Sequence, residues 1–172
     1  MSSESSRELT LLILAAAVLG VVDTMIPRPL PFFKIGLANI ASVVSAVRLG
    51  YLRTLELNIV RAVSVALITG IIGTPTFILS FSGAVVSATI MSALLRFFRG
   101  RVSIMGISVS GAVCSLWVQL IAAGIILHDI PLSNLVLLLG LWGIVSGLLV
   151  GALAKTALAK LFSGEVLRRA SG

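Results

Sequence analysis

Charged and amide side chains set inside long apolar runs are the residues of this chain that call for a chemical explanation. Asp23 closes the first such run, Lys34 and Asn39 open the next, Arg61 interrupts a third and Gln119 lies deep in a later one. A charge at mid-span in lipid costs roughly 2.5–3.5 kcal/mol on insertion scales, so each needs a partner or a task. Two readings stand side by side. In one, Asp23 pairs with Lys34 or Arg61, while Asn39 and Gln119 bond neighbouring backbone. In the other, the five converge on a pocket where Lys34 or Arg61 receives the anionic group of a small-molecule substrate. Arginine suits phosphate or carboxylate because its planar fork donates two hydrogen bonds at once. Glu56 is expected to pair with Arg53 or Arg48, and His128 with Asp129 reads as a solvated turn.

Several other chemistries are excluded. The chain has no Gly-x4-Gly-Lys-Ser/Thr run, so it does not hydrolyse ATP in the P-loop manner. Its carboxylates are Glu4, Glu8, Asp23, Glu56, Asp129 and Glu165, and no two lie close enough within a span to gather a magnesium ion. One histidine and one cysteine supply no nucleophile–base pair. Cys114 is expected as a small buried packing residue, with no disulfide available to it. No catalytic residue, metal site or intrinsic cofactor is therefore expected.

The elements that must position these side chains follow from composition. Of 172 residues, 58% are hydrophobic and 11% charged, with a mean hydropathy of +1.17. Soluble domains carry about 25% charged residues, so the solvent for this surface is lipid. The net charge of +7 would suggest nucleic acid in a soluble chain. Here the basic residues stand singly between apolar runs, where orientation in a bilayer explains them, and no nucleic-acid role is expected. A span needs about 20 mostly apolar residues. The reading is an all-α membrane protein, a compact bundle of about six transmembrane helices in a multi-pass arrangement.

The helices are predicted over about Leu9–Ile26, Phe32–Leu49, Arg53–Ile72, Thr76–Leu95, Val102–Leu127 and Leu132–Leu161. Prolines 27, 29 and 31 stop the first. Residues 1–8 are then an N-terminal leader, 9–161 the transmembrane domain and 162–172 a C-terminal tail. The first run resembles the core of a signal peptide, but Glu4 and Glu8 beside Arg7 favour a retained helix. Arg7, Arg48, Arg53, Arg96, Arg99, Arg101, Lys155, Lys160, Arg168 and Arg169 fall on one side, against Arg28 and Lys34 on the other. That asymmetry places both termini in the cytoplasm of a cell-membrane protein.

Small residues recur at every fourth position: Gly143, Gly147 and Gly151; Ser80, Ala84, Ala88 and Ser92; Ala38, Ser42, Ala46 and Gly50. Such stripes let helices approach closely in lipid. They serve packing within the chain or docking of a partner, for which Ala16 and Gly20 are the candidate residues.

The stretch from Asp23-Thr-Met-Ile-Pro27 through Pro31, followed by Lys34-Ile-Gly-Leu-Ala-Asn39, resembles the signature of the Gx transporter family, also known as heptaprenyl diphosphate synthase component I. Arg61, Phe81-Ser-Gly-Ala84 and Gly106-Ile-Ser-Val-Ser-Gly-Ala112 through Gln119 continue the resemblance, over about residues 9–150. Asp23 stands where that pattern carries Glu, and Cys114-Ser115 where a His-Asn pair often sits. The resemblance implies a likeness to the substrate-binding S components of energy-coupling-factor (ECF) transporters, six-helix bundles with cytoplasmic termini. It implies an outward pocket for a vitamin or small metabolite, anionic or phosphate-bearing. It also implies docking of helix 1, around Ala16 and Gly20, on a transmembrane coupling subunit driven by two ATPase subunits, which would use the ATP. The older family name implies an alternative, a non-catalytic membrane component of prenyl diphosphate synthesis. A scaffold binding other helices through its glycines is a third reading.

Overall fold

Apolar runs of this length leave helices as the only way to satisfy the backbone in lipid, and helices are what form. The computed structural model describes residues 3–27, 34–98, 101–126 and 133–170. Its elements are α1 (Ser3–Met25), α2 (Asn39–Arg48), α3 (Tyr51–Ile68), α4 (Pro75–Phe97), α5 (Ile104–Ile126) and α6 (Ser133–Ala170). Four of them, α1, α4, α5 and α6, contain stretches long and apolar enough to cross a membrane. The expectation was about six spans; among the described residues six helices form, of unequal reach, and four of them qualify as spans. At 1.5 Å per residue, the ten residues of α2 extend about 15 Å, half of a hydrocarbon core of about 30 Å. The third helix carries Arg53, Glu56 and Arg61 within its 18 residues.

The second helix differs most from its predicted bounds. Phe32–Leu49 was the expectation, but residues 34–38 are not helical and α2 begins at Asn39. Gly36 adopts a φ of +79°, a left-handed conformation open to glycine at no steric cost. Its carbonyl accepts from the Asn39 amide at 2.8 Å, closing a turn in place of another helical turn. Two further bounds move outward. The first helix begins at Ser3 and absorbs most of the expected leader, with Glu8 paired to Arg48 at the end of α2. The last continues through the expected tail to Ala170, because Ala, Leu, Lys and Arg are all strong helix formers. At the start of α4, Thr74 caps the helix by accepting from the Phe77 amide at 3.3 Å, and Pro75 occupies the first turn.

The short α2 lies at the centre and touches all five other helices. Ala41, Ser42, Val43, Val44, Ser45 and Ala46 are buried there. Around it, consecutive helices pack antiparallel. The glycines of α6 meet α5 in reverse order, Gly143 against Val113, Gly147 against Val109 and Gly151 against Met105. A Cβ at Gly147 would sit 2.6 Å from the Val109 Cα, so this stripe is spent on packing within the chain. The α4 stripe is also internal, with Ala84, Ala88 and Ser92 buried. One apolar cluster gathers Val43, Met91, Ile107, Val150 and Leu158; a second gathers Leu79, Leu116, Leu120 and Leu139. The outside is lined by large apolar side chains, among them Leu11, Val18, Leu67, Ile121, Ile125, Leu137 and Val145. An exterior this apolar is that of a protein whose surface faces lipid.

Candidate functional site

Where α2 stops short, a partly open cavity of about 120 Å³ remains. A single water needs about 10–15 Å³ on this scale, so the space exceeds what a bridging water would use. Each of Asp23, Lys34, Asn39, Arg61 and Gln119 lines it. They arrive from four helices and one connection: Asp23 from the last turn of α1, Lys34 from the segment before α2, Asn39 from the first turn of α2, Arg61 from the middle of α3 and Gln119 from α5.

Asp23 is buried and accepts from the Gly36 amide at 3.2 Å. Asp23 and Arg61 line the same cavity, where their opposite charges attract. Lys34 reaches across to donate to the Ser80 hydroxyl on α4, and its carbonyl accepts from Trp142 Nε1 on α6 at 3.1 Å. Arg61 donates from Nη1 to Asn39 Oδ1 at 3.4 Å and from Nη2 to Asn58 Oδ1 at 3.0 Å. Its buried Nε has no hydrogen-bond acceptor among the described residues. Gln119 gives its amide nitrogen to the Ser115 carbonyl and hydroxyl, both at 3.1 Å. Gly83 makes room for this arrangement, since a Cβ there would meet Gln119 Nε2 and Ser115 Oγ at 2.6 Å.

Charge is unevenly distributed over the lining. Lys34 and Arg61 outweigh Asp23 by one positive charge, and the uncapped N-terminus of α2 at Ala38 and Asn39 opens on the same space. A helix N-terminus adds a partial positive charge. The remaining wall mixes the hydroxyls of Thr24, Ser80, Ser108, Ser115 and Ser146 with apolar side chains, among them Val65, Ile71, Phe77, Leu116 and Val150. An anionic group with an apolar body suits such a surface.

Behind Arg61 runs a polar network that the sequence reading did not single out. Asn58 Oδ1 also accepts from Ser42 Oγ at 2.9 Å, and Asn58 Nδ2 donates to the Thr54 carbonyl at 2.9 Å. Thr54 Oγ1 continues the network to Ser45 Oγ at 3.1 Å. Asn58, Ser42, Thr54 and Ser45 are all fully buried. The signal was present in the spacing: Thr54, Asn58 and Arg61 are four and three residues apart, one face of α3. Ser42 and Ser80 belong to small-residue stripes whose spacing alone points to packing within the chain or docking of a partner.

Other candidates fall elsewhere. Ala16 is fully buried in a cluster with Leu9, Ala41 and Leu57, and Gly20 packs against Val65 of α3 while lining the cavity. The face of α1 turned outward is instead Leu11, Leu14, Ala15, Val18 and Val22. Glu56 pairs with Arg53 at 3.3 Å. Cys114 is free and half-buried. Arg28, His128 and Asp129 lie outside the described residues.

These features define an integral membrane protein, all-helical, with a charged cavity closed off by a short central helix. The family model described as heptaprenyl diphosphate synthase component I matches residues 12–158. The chain belongs to that family, also called the Gx transporter family. No curated protein and no solved structure matches it.

Proposed function

We propose that the chain is the substrate-capturing subunit of an uptake transporter, similar to the S component of an ECF system, for a small anionic or phosphate-bearing metabolite. The observation that carries this reading is the convergence of Lys34, Arg61, Asn39, Asp23 and Gln119 on one cavity within a lipid-facing bundle. Intramembrane ionisable groups that face a cavity mark substrate pathways in membrane proteins, because a charged visitor adds to what their internal partners offset of their desolvation. An interrupted helix whose N-terminus opens on the cavity adds to the attraction for an anion. In this reading the protein sits in the cell membrane with both termini cytoplasmic. A transmembrane coupling subunit would bear on the exposed α1 face around Leu14 and Val18, and partner ATPases would supply the energy.

The test is purification in mild detergent followed by mass spectrometry of any co-purifying small molecule, for the wild type and for Arg61→Met and Lys34→Met. Capture predicts one molecule with the wild type and its loss in both variants. Absence of any such molecule, with no thermal stabilisation across a panel of vitamins and metabolites, would overturn the proposal.

A further inference from the structure

We infer that the cavity takes a compact amphipathic anion with one carboxylate or phosphate head, a short aliphatic body and a hydrogen-bond donor at the far end. This rests on the capture reading and narrows it to a class of ligand that excludes flavin nucleotides and prenyl diphosphates.

The head is assigned by what Arg61 has left to give. Asn39 and Asn58 hold the two terminal nitrogens of the guanidinium in place, and the buried Nε–H has no acceptor among the described residues. Each terminal nitrogen still carries a second hydrogen. A guanidinium fixed in this way, with the second hydrogens of Nη1 and Nη2 unspent, is set to grip two oxygens of one head group. The amide nitrogen of Asn39, whose oxygen is taken by Arg61, is a further donor on the same wall.

The far end is assigned by Gln119. Its amide nitrogen is engaged with the Ser115 carbonyl and hydroxyl, so what it offers is its carbonyl oxygen, an acceptor. An acceptor on the lining matches an O–H or N–H on the ligand, not a second anionic oxygen.

Size comes from the space between them. The cavity of about 120 Å³ is smaller than an engineered apolar cavity of about 150 Å³ that admits benzene, so the part of the ligand enclosed within it is about six non-hydrogen atoms. Phe77 is the one aromatic side chain lining it among the described residues. The described residues of the wall therefore offer no paired aromatic faces on which a flavin ring would stack, and the enclosed volume is too small for a prenyl chain.

The experiment measures thermal stabilisation and affinity of the full chain in phospholipid-free detergent. The probes are butyrate, γ-hydroxybutyrate, glycerol phosphate, flavin mononucleotide, farnesyl diphosphate and dioleoylphosphatidylglycerol. The inference expects the small anions to bind, γ-hydroxybutyrate about two- to tenfold more tightly than butyrate through one added hydrogen bond. Gln119→Leu should erase that ratio and keep butyrate binding; should this variant not fold, the wild-type ratio alone decides the point. Binding of flavin mononucleotide or farnesyl diphosphate in place of the small anions, lost in Arg61→Met, would overturn the inference and leave capture standing. Stabilisation by dioleoylphosphatidylglycerol alone would assign the site to a lipid head group and overturn it too. Stabilisation by none of the six would count against the inference and the capture reading together.

Discussion

Replacing Gly147 by alanine adds one methyl group at the tightest backbone approach between α5 and α6. The new Cβ would lie 2.6 Å from Val109 Cα, 3.1 Å from Val109 N and 3.2 Å from Ala112 Cβ. Two of these neighbours are backbone, so no side-chain rotation relieves the contact. Carbon atoms settle at about 3.5–4.0 Å, and the helices must separate locally by about 1 Å. Overpacking of this kind costs about 1–3 kcal/mol. For a chain of this size that lowers the melting temperature by about 2–12 °C. Gly140 provides the control on the same helix, since a Cβ there would meet only Trp117 Nε1 at 3.9 Å, an ordinary contact. Gly140→Ala should stay within about 0.5 kcal/mol of wild type. Thermal unfolding of purified wild type and both variants, followed by loss of monodisperse elution, reads the difference. Equal stability of all three would show that the α5–α6 seam is not packed as described, and would return the stripe to the docking of a partner.

Asn58→Leu removes the acceptor shared by Arg61 Nη2 and Ser42 Oγ, leaving two buried donors that cost about 1–3 kcal/mol each. A marked fall in unfolding temperature is expected, and an unchanged one would mean that Asn58 does not hold Arg61. Thr74→Ala removes the cap at the start of α4 and should cost about 1 kcal/mol, detectable as a small fall in the same assay.

The number of helices was legible because apolar run length and Gly/Pro punctuation are one-dimensional signals. The five cavity residues were legible for a related reason: a charge or amide in lipid is conspicuous whatever the fold. The late start of α2 was harder to see. The sequence from Phe32 to Ala38 is apolar apart from Lys34 and Gly36, and only the three-dimensional turn at Gly36 reveals that residues 34–38 are not helical. Asn58, Ser42 and Thr54 were hidden differently. Small polar residues at helical spacing look the same whether they pack a seam or support an arginine, and the choice depends on which helix faces them. Ala16 and Gly20 illustrate the converse, since a small-residue pair marks close approach without saying whether the approaching helix belongs to the same chain.

The ten-residue α2 has one more consequence. The hollow above it exists because a central rod ends halfway, and small side chains such as Ala62, Ala84, Ala112 and Ser115 keep the walls around it thin. Its depth is therefore written in chain length, at the point where Gly36 turns the backbone, whereas its width is written in side chains such as Val65 and Leu116. Trimming those walls broadens the well without lowering its floor, and moving the break by one turn would shift that floor by about 5.4 Å.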